Sequence, residues 1–144
     1  MEITKKQQQE INKIGNKYQL RFIIIHGSYA RGEEKKGSDL DVAVYGKKRI
    51  DFEKRMKMYG DFEQIFGNNR ERELDIKTLH DTNPFFRFEA VRDGKLIYGD
   101  KNDFDEYYLF AYKDFMDSRS LFKLQDEIIN RRQLHLNKIT KQYA

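Results

Sequence analysis

Asp39 and Asp41 stand two residues apart, and ten residues separate them from the dipeptide Gly27-Ser28. On a strand, both carboxylates project from one face with their Cα atoms about 6.5–7 Å apart. Like charges held that close repel, and a cation between them turns the repulsion into attraction. Mg2+ suits such a pair, because it prefers hard oxygen ligands and completes its shell with substrate phosphates. Gly27 and Ser28 end an apolar run, Phe22-Ile23-Ile24-Ile25, with His26 between. There a glycine permits a special backbone angle and the close approach of a ligand, while free N–H groups and the Ser28 hydroxyl can face phosphate oxygens.

Asp75 is the third carboxylate of interest. It lies in ELDIKTL on the alternating phase of Lys77, opposite Leu74 and Ile76. If its strand lies beside that of Asp39 and Asp41, three carboxylates converge beneath a phosphate-binding turn. Two-metal nucleotidyl transfer requires that layout. Arg31 is placed either to reach phosphates or to steady the loop, and Ser38, just before Asp39, joins the candidate nucleotide-binding residues. Each part has a plainer reading, since Asp-x-Asp is commonly a strand-end feature and Gly-Ser a turn. Their joint occurrence at this spacing is a chance event on the order of one in several hundred. His26 reads as a base or as a structural strand-end histidine, and Lys77 as a nucleotide contact or a solvated lysine. His80 and His135 read as surface residues.

The elements that position these residues follow from periodicity. Thr4 and Gln7 form a capping box for a helix from Lys5 to Tyr18, with Ile11 and Ile14 at helical spacing. Leu20–His26 is β-branched and too short for a buried helix, so it reads as a strand; DLDVAVY, from Asp39, alternates as a second. Asp51 caps a helix through Phe66 whose apolar stripe is Phe52, Met56, Tyr59 and Phe62, and Glu73 to Leu79 is a third strand. Asn83-Pro84 opens a helix with Phe85, Phe88 and Val91 on one side, and KLIY adds a fourth strand after Asp93-Gly94. From about Asp103 the pattern predicts one long helix, or two joined near Ser118, fraying near Leu134-His135-Leu136. The order predicts an α/β fold, a small mixed sheet flanked by helices.

At 144 residues the chain fits one domain. Residues 1–100 form the expected core, and residues 101–144 a helical extension packed on or projecting from it. No apolar run approaches the ~20 residues of a membrane span, and the first thirty residues lack a signal-peptide pattern, so a cytoplasmic protein away from membranes is expected. There are no cysteines, which excludes disulfides and zinc-thiolate sites. The net charge of +4 is concentrated from Arg119 onward, where six basic residues face two acidic ones. A basic helical tail with no base-stacking platform predicts a solvated helix face or a docking surface rather than a nucleic-acid groove.

The stretch HGSYARGEEKKGSDLDVAVYG resembles the signature of the polymerase-beta-like nucleotidyltransferase superfamily. More closely it is similar to the minimal nucleotidyltransferase (MNT) antitoxins encoded beside HEPN-domain ribonuclease toxins. ELDIKTL, FEAVRDGKLIYGD and the long last helix extend the likeness over nearly the whole chain. The resemblance implies the nucleotidyltransferase fold and a Mg2+-dependent transfer of AMP from ATP onto a tyrosine of a cognate HEPN toxin, inactivating it. It puts Gly27 and Ser28 on the triphosphate and Asp39 and Asp41 on metal, with Asp75 as third carboxylate and base. The helix from Asp103 would dock the toxin in a hetero-oligomer. Two other readings are neutralisation by binding alone and a small-molecule, aminoglycoside-type nucleotidyltransferase, which usually carries a further domain.

Overall fold

The computed structural model describes residues 1–143. Helix α1 (Lys5–Lys17) starts at the expected capping box: Gln7 N donates to Thr4 Oγ1 at 3.2 Å and Thr4 N to Gln7 Oε1 at 3.0 Å. Strand β1 (Leu20–His26) leads into a single short helix, α2 (Gly27–Arg31), which ends at Gly32. Strand β2 (Leu40–Gly46), helix α3 (Phe52–Phe66) and strand β3 (Leu74–Thr78) follow. A 3-10 turn at Leu79–Asp81 precedes helix α4 (Pro84–Asp93), strand β4 (Lys95–Gly99) and helix α5 (Lys101–Tyr143).

The four strands form one mixed sheet in the order β3-β2-β1-β4. β1 runs antiparallel to both β2 and β4, and β2 runs parallel to β3. The expected α/β class and long C-terminal helix are both present. On one face Ile23, Ile25, Val42, Val44 and Ile76 pack against Ile11 and Ile14 of α1 and Met58 and Phe62 of α3. On the other, Phe22, Ile24 and Ala43 meet Ala90 and Val91 of α4 and Tyr107 and Ala111 of α5. Alternation assigns the odd and even positions of each strand to these two layers, which fixes the face on which every polar strand residue emerges.

Several local expectations are corrected. The buried stripe of α3 is Met58, Phe62 and Phe66, not the one through Phe52 and Met56, which are 67% and 49% exposed. The two stripes share only Phe62, and in the first turn the Arg55 guanidinium covers the exposed Phe52 ring. Leu79 lies beyond the strand, in the 3-10 turn, and is fully buried in the layer on the Asp75 side of the sheet. His80 is half-buried rather than superficial: its ring stacks on Tyr45 with centroids 4.5 Å apart, and its Nδ1 has no hydrogen-bond partner. Of the α4 stripe, Val91 is buried and Phe88 stacks on Phe115 of α5 at 4.9 Å, while Phe85 is half exposed. α5 is a single helix that passes through Ser118 and Leu134-His135-Leu136 without a break.

Candidate active site

Three chemically active side chains stand in one lateral row. Asp41 of β2 lies opposite His26 of β1 on one side and opposite Asp75 of β3 on the other. Their neighbours Ile25, Leu40, Val42, Leu74 and Ile76 all face the α1/α3 layer. His26, Asp41 and Asp75 therefore all emerge on the α4 side, at the edge where β1 ends and β2 and β3 begin. Asp39 precedes β2 at the same edge and is exposed. The parallel pairing of β2 with β3 brings Asp75 beside Asp41, as the alternation in ELDIKTL required.

Gly27 sits directly over this row with φ +71°, a left-handed angle that an L side chain adopts at a cost. A Cβ at this position would fall 2.3 Å from Asp41 Oδ2. The group that approaches the glycine backbone is thus one of the protein's own carboxylates. Ser28 follows in the first turn of α2, partly exposed, and its carbonyl accepts from Glu33 N at 2.9 Å, closing the loop behind it. Burial, with Asp75 and Asp39 nearby, pushes the Asp41 carboxyl up to about 6. His26 moves the other way: burial lowers it to about 4, against the pull of Asp75 and Asp93, so the ring is neutral at physiological pH.

Not every candidate is free to serve this edge. Arg31 donates to Glu33 Oε2 at 2.8 Å and to Asp93 Oδ2 at 3.1 Å, so it steadies the loop and ties it to the end of α4. Ser38 Oγ accepts from Lys35 N at 2.8 Å inside a tight turn. Lys77 lies 3.5 Å from Asp75 Oδ1 and is half exposed, so it is a solvated neighbour of the third carboxylate. One residue escaped the sequence, Asp93, held by Arg31 and Arg92, while His26, read as a base or a structural strand-end histidine, proves buried and aligned with Asp41. The position of His26 just before Gly27 was the signal.

Among the described residues, no three His, Asp or Glu side chains gather closely enough to hold a metal ion as they stand. The reasons are visible: Asp41 lies beneath Gly27, Asp75 turns to Lys77, and Asp39 is free at the surface. The donor set nevertheless fits a hard divalent cation. It offers three carboxylates at one sheet edge, and burial, followed by repulsion from the other two, already raises the one at the centre.

Comparison with known proteins agrees with this geometry. Residues 9–103 match the family described as polymerase beta, nucleotidyltransferase. MJ1547 of Methanocaldococcus jannaschii, to which protein adenylyltransferase activity is ascribed, is 27% identical over 95 residues, 66% of this chain and 69% of that protein. Among solved structures, a toxin-antitoxin chain crystallised with AMP-PNP superposes with a TM-score of 0.69 at 18% identity, over 85% of this chain and 98% of that one. The MNT antitoxin from a complex with tri-AMPylated Shewanella oneidensis HEPN toxin gives 0.65 at 16% identity, over 86% and 97%. The spectinomycin adenyltransferase AAD(9) from Enterococcus faecialis gives 0.52 at 19% identity, over 80% of this chain and 65% of the other. At these identities the structural likeness is one of fold, whereas the family match spans the strands that carry the carboxylates and the turn that covers them. The match covers the glycine-serine turn, the two aspartates after ten residues and the third on the parallel strand, and the chain belongs to the polymerase beta nucleotidyltransferase family.

Proposed function

We propose that the chain is an antitoxin that transfers AMP from ATP onto a tyrosine of a HEPN-domain toxin and so silences it. The observation that carries this reading is the lateral pairing of Asp41 with Asp75 beneath the Gly27-Ser28 turn. The ascribed activity of MJ1547 and the fold neighbours, which include an antitoxin in complex with an AMPylated HEPN toxin, support the acceptor.

In this reading the backbone at Gly27 and Ser28 and the Ser28 hydroxyl bind the triphosphate, while Arg31 and Ser38 keep the loop in shape around it. Asp39, Asp41 and Asp75 would hold Mg2+. When bound, the ion neutralises phosphate charge and lowers the pKa of an attacking hydroxyl, which for a tyrosine is about 10 unperturbed. Asp75 orients that hydroxyl and takes its proton. The phenolic oxygen forms a bond to the α-phosphorus, and the bond to the bridging oxygen breaks to release pyrophosphate. The toxin docks along α5, whose apolar side chains from Leu121 onward face solvent.

The small-molecule reading has one observation behind it, the likeness to AAD(9). The superposition covers 65% of that enzyme's chain. The deciding experiment incubates the purified chain with ATP, Mg2+ and the HEPN-domain protein of the adjoining gene and reads intact mass. Addition of one or more AMP groups, lost in Asp39→Asn and Asp41→Asn, is the expected result. An unmodified partner that is still neutralised would favour binding alone; modification at the wild-type rate by both variants would overturn the mechanism.

A further inference from the structure

The row across the sheet contains one member that the proposed transfer does not use. His26 is only 8% exposed, yet its Nε2 is buried without a hydrogen-bond partner. A buried polar atom left unpaired costs about 1–3 kcal/mol, so a packing role alone would be served better by an aromatic hydrocarbon. Phe86 of α4 meets the imidazole edge to face at 5.5 Å and holds the ring in the row. Its cross-strand partner is Asp41, on the same face. In the ligand-free chain the Asp41 carboxylate lies under Gly27, and no hydrogen bond joins it to His26.

We infer that His26 is a positioning residue for Asp41: its ring N–H donates to the carboxylate when Asp41 leaves its place under Gly27 to take a divalent cation, and fixes which oxygen faces the ion. The inference rests on the reading of Asp41 as a metal ligand. Chemistry favours an imidazole here, because its N–H orients a carboxylate without cancelling the charge that the cation needs. A lysine or arginine in its place would compete with the ion. Partners of this kind set metal affinity by roughly 10–100-fold in other metal sites. Lys77 is related to Asp75 differently: it is half exposed and charged, and it screens that carboxylate rather than orienting it.

The test compares His26→Phe, which keeps a ring against Phe86, with His26→Gln, which returns an amide group near the Nε2 position. Magnesium binding to the full chain is measured by calorimetry and by the Mg2+-induced rise in melting temperature, without substrate turnover. The expected result is a magnesium Kd about tenfold weaker in His26→Phe, with the metal-free protein at least as stable as wild type. His26→Gln should recover affinity to within roughly threefold of wild type. Long-range 1H–15N spectra of the histidines provide a second readout, in which the His26 ring nitrogens shift on adding Mg2+. Equal affinity in wild type and His26→Phe, or His26→Gln as weak as His26→Phe, would overturn the inference. A wild-type chain that takes up no Mg2+ would instead remove the reading of Asp41 on which it rests.

Discussion

Asp41 Oδ2 occupies the space that a side chain at Gly27 would need: the Cβ would lie 2.3 Å from it, on a backbone already at φ +71°. Gly27 is therefore tied to the carboxylate row by two independent constraints, one of conformation and one of space. Gly32 separates them, since it has φ +70° but nothing within 4 Å of its Cβ position. Gly32→Ala should cost only the strain, about 1–2 kcal/mol in urea denaturation, and keep AMP transfer near wild type. Gly27→Ala should cost more than that, because its Cβ also collides with Asp41 in the metal-free chain, and should lower transfer by roughly a hundredfold by shifting the turn that binds the triphosphate. Equal stabilities of the two variants would show that Asp41 can move aside at no cost, and equal activities would show that the turn does not position the triphosphate.

The same row predicts an unusual pH response of the metal-free chain. The His26 pKa is depressed from 6.5 to about 4, so between those values the unfolded state binds the extra proton, and stability is lost as pH falls. The Asp41 pKa is raised from 3.8 to about 6, so the folded state holds a proton that the unfolded state has released, and stability is lost as pH rises. Asp75 and Asp93 face His26 and Arg31 opposes them; Asp75 and Asp39 face Asp41. From about pH 4 to 6 the two slopes oppose each other. In a chelator-containing buffer the wild type should be nearly flat there. Asp41→Asn should gain stability with rising pH by up to ~1.4 kcal/mol per unit, and His26→Phe should lose it. Because Asp41 is half-buried and partly screened by water, Asp41→Asn should be more stable than wild type at pH 8 by only about 1 kcal/mol. Parallel slopes in the two variants would contradict the assignment.

Much of this edge was legible because short-range patterns encode it. Alternation in DLDVAVY and ELDIKTL fixed the faces of Asp41 and Asp75, and a parallel pairing aligned them. The surprises all depend on contacts between distant segments. Nothing local says that α3 docks by Met58 and Phe66 while Phe52 stays exposed, because both stripes have helical spacing. Nor does the sequence around His80 reveal the Tyr45 ring that covers it, or that around Arg31 its carboxylate partner 62 residues away.

That distant partner makes a prediction of its own. Asp93 is 16% exposed and receives Arg31 and Arg92, whereas Glu33, the other partner of Arg31, is 65% exposed. The Arg92 and Arg31 hydrogen bonds hold the Asp93 carboxyl below the usual range, so its contribution is present at neutral pH and lost as pH falls below about 4. Asp93→Ala should cost about 1 kcal/mol at pH 7 and speed amide exchange at Glu33, whose N–H donates to Ser28. Glu33→Ala should cost close to nothing. Equal costs would mean that burial of the Asp93 end does not decide the strength of this tie.

α5 carries the last prediction, because its two halves answer to different environments. Tyr107 and Ala111 are buried against the sheet, but every described residue from Lys123 onward is exposed. Leu121, Leu124 and Ile128 recur at spacings of three and four and are 51–56% exposed, and the line continues through Arg132 and His135 to Ile139. A solvated helix of about twenty residues is marginal on its own in water, so packing against a partner is what would hold this half. Its excess of basic residues suits an acidic surface beside an apolar groove. Ending the chain at Phe122 should change the stability of the remaining body by less than about 0.5 kcal/mol. Leu124→Asp with Ile128→Asp should leave melting unchanged yet abolish co-elution with the proposed HEPN partner, and raised salt should weaken wild-type co-elution. Full partner binding by the truncated chain would move the docking surface to the packed half of the helix, where Leu109, Phe110 and Tyr112 are the exposed alternatives.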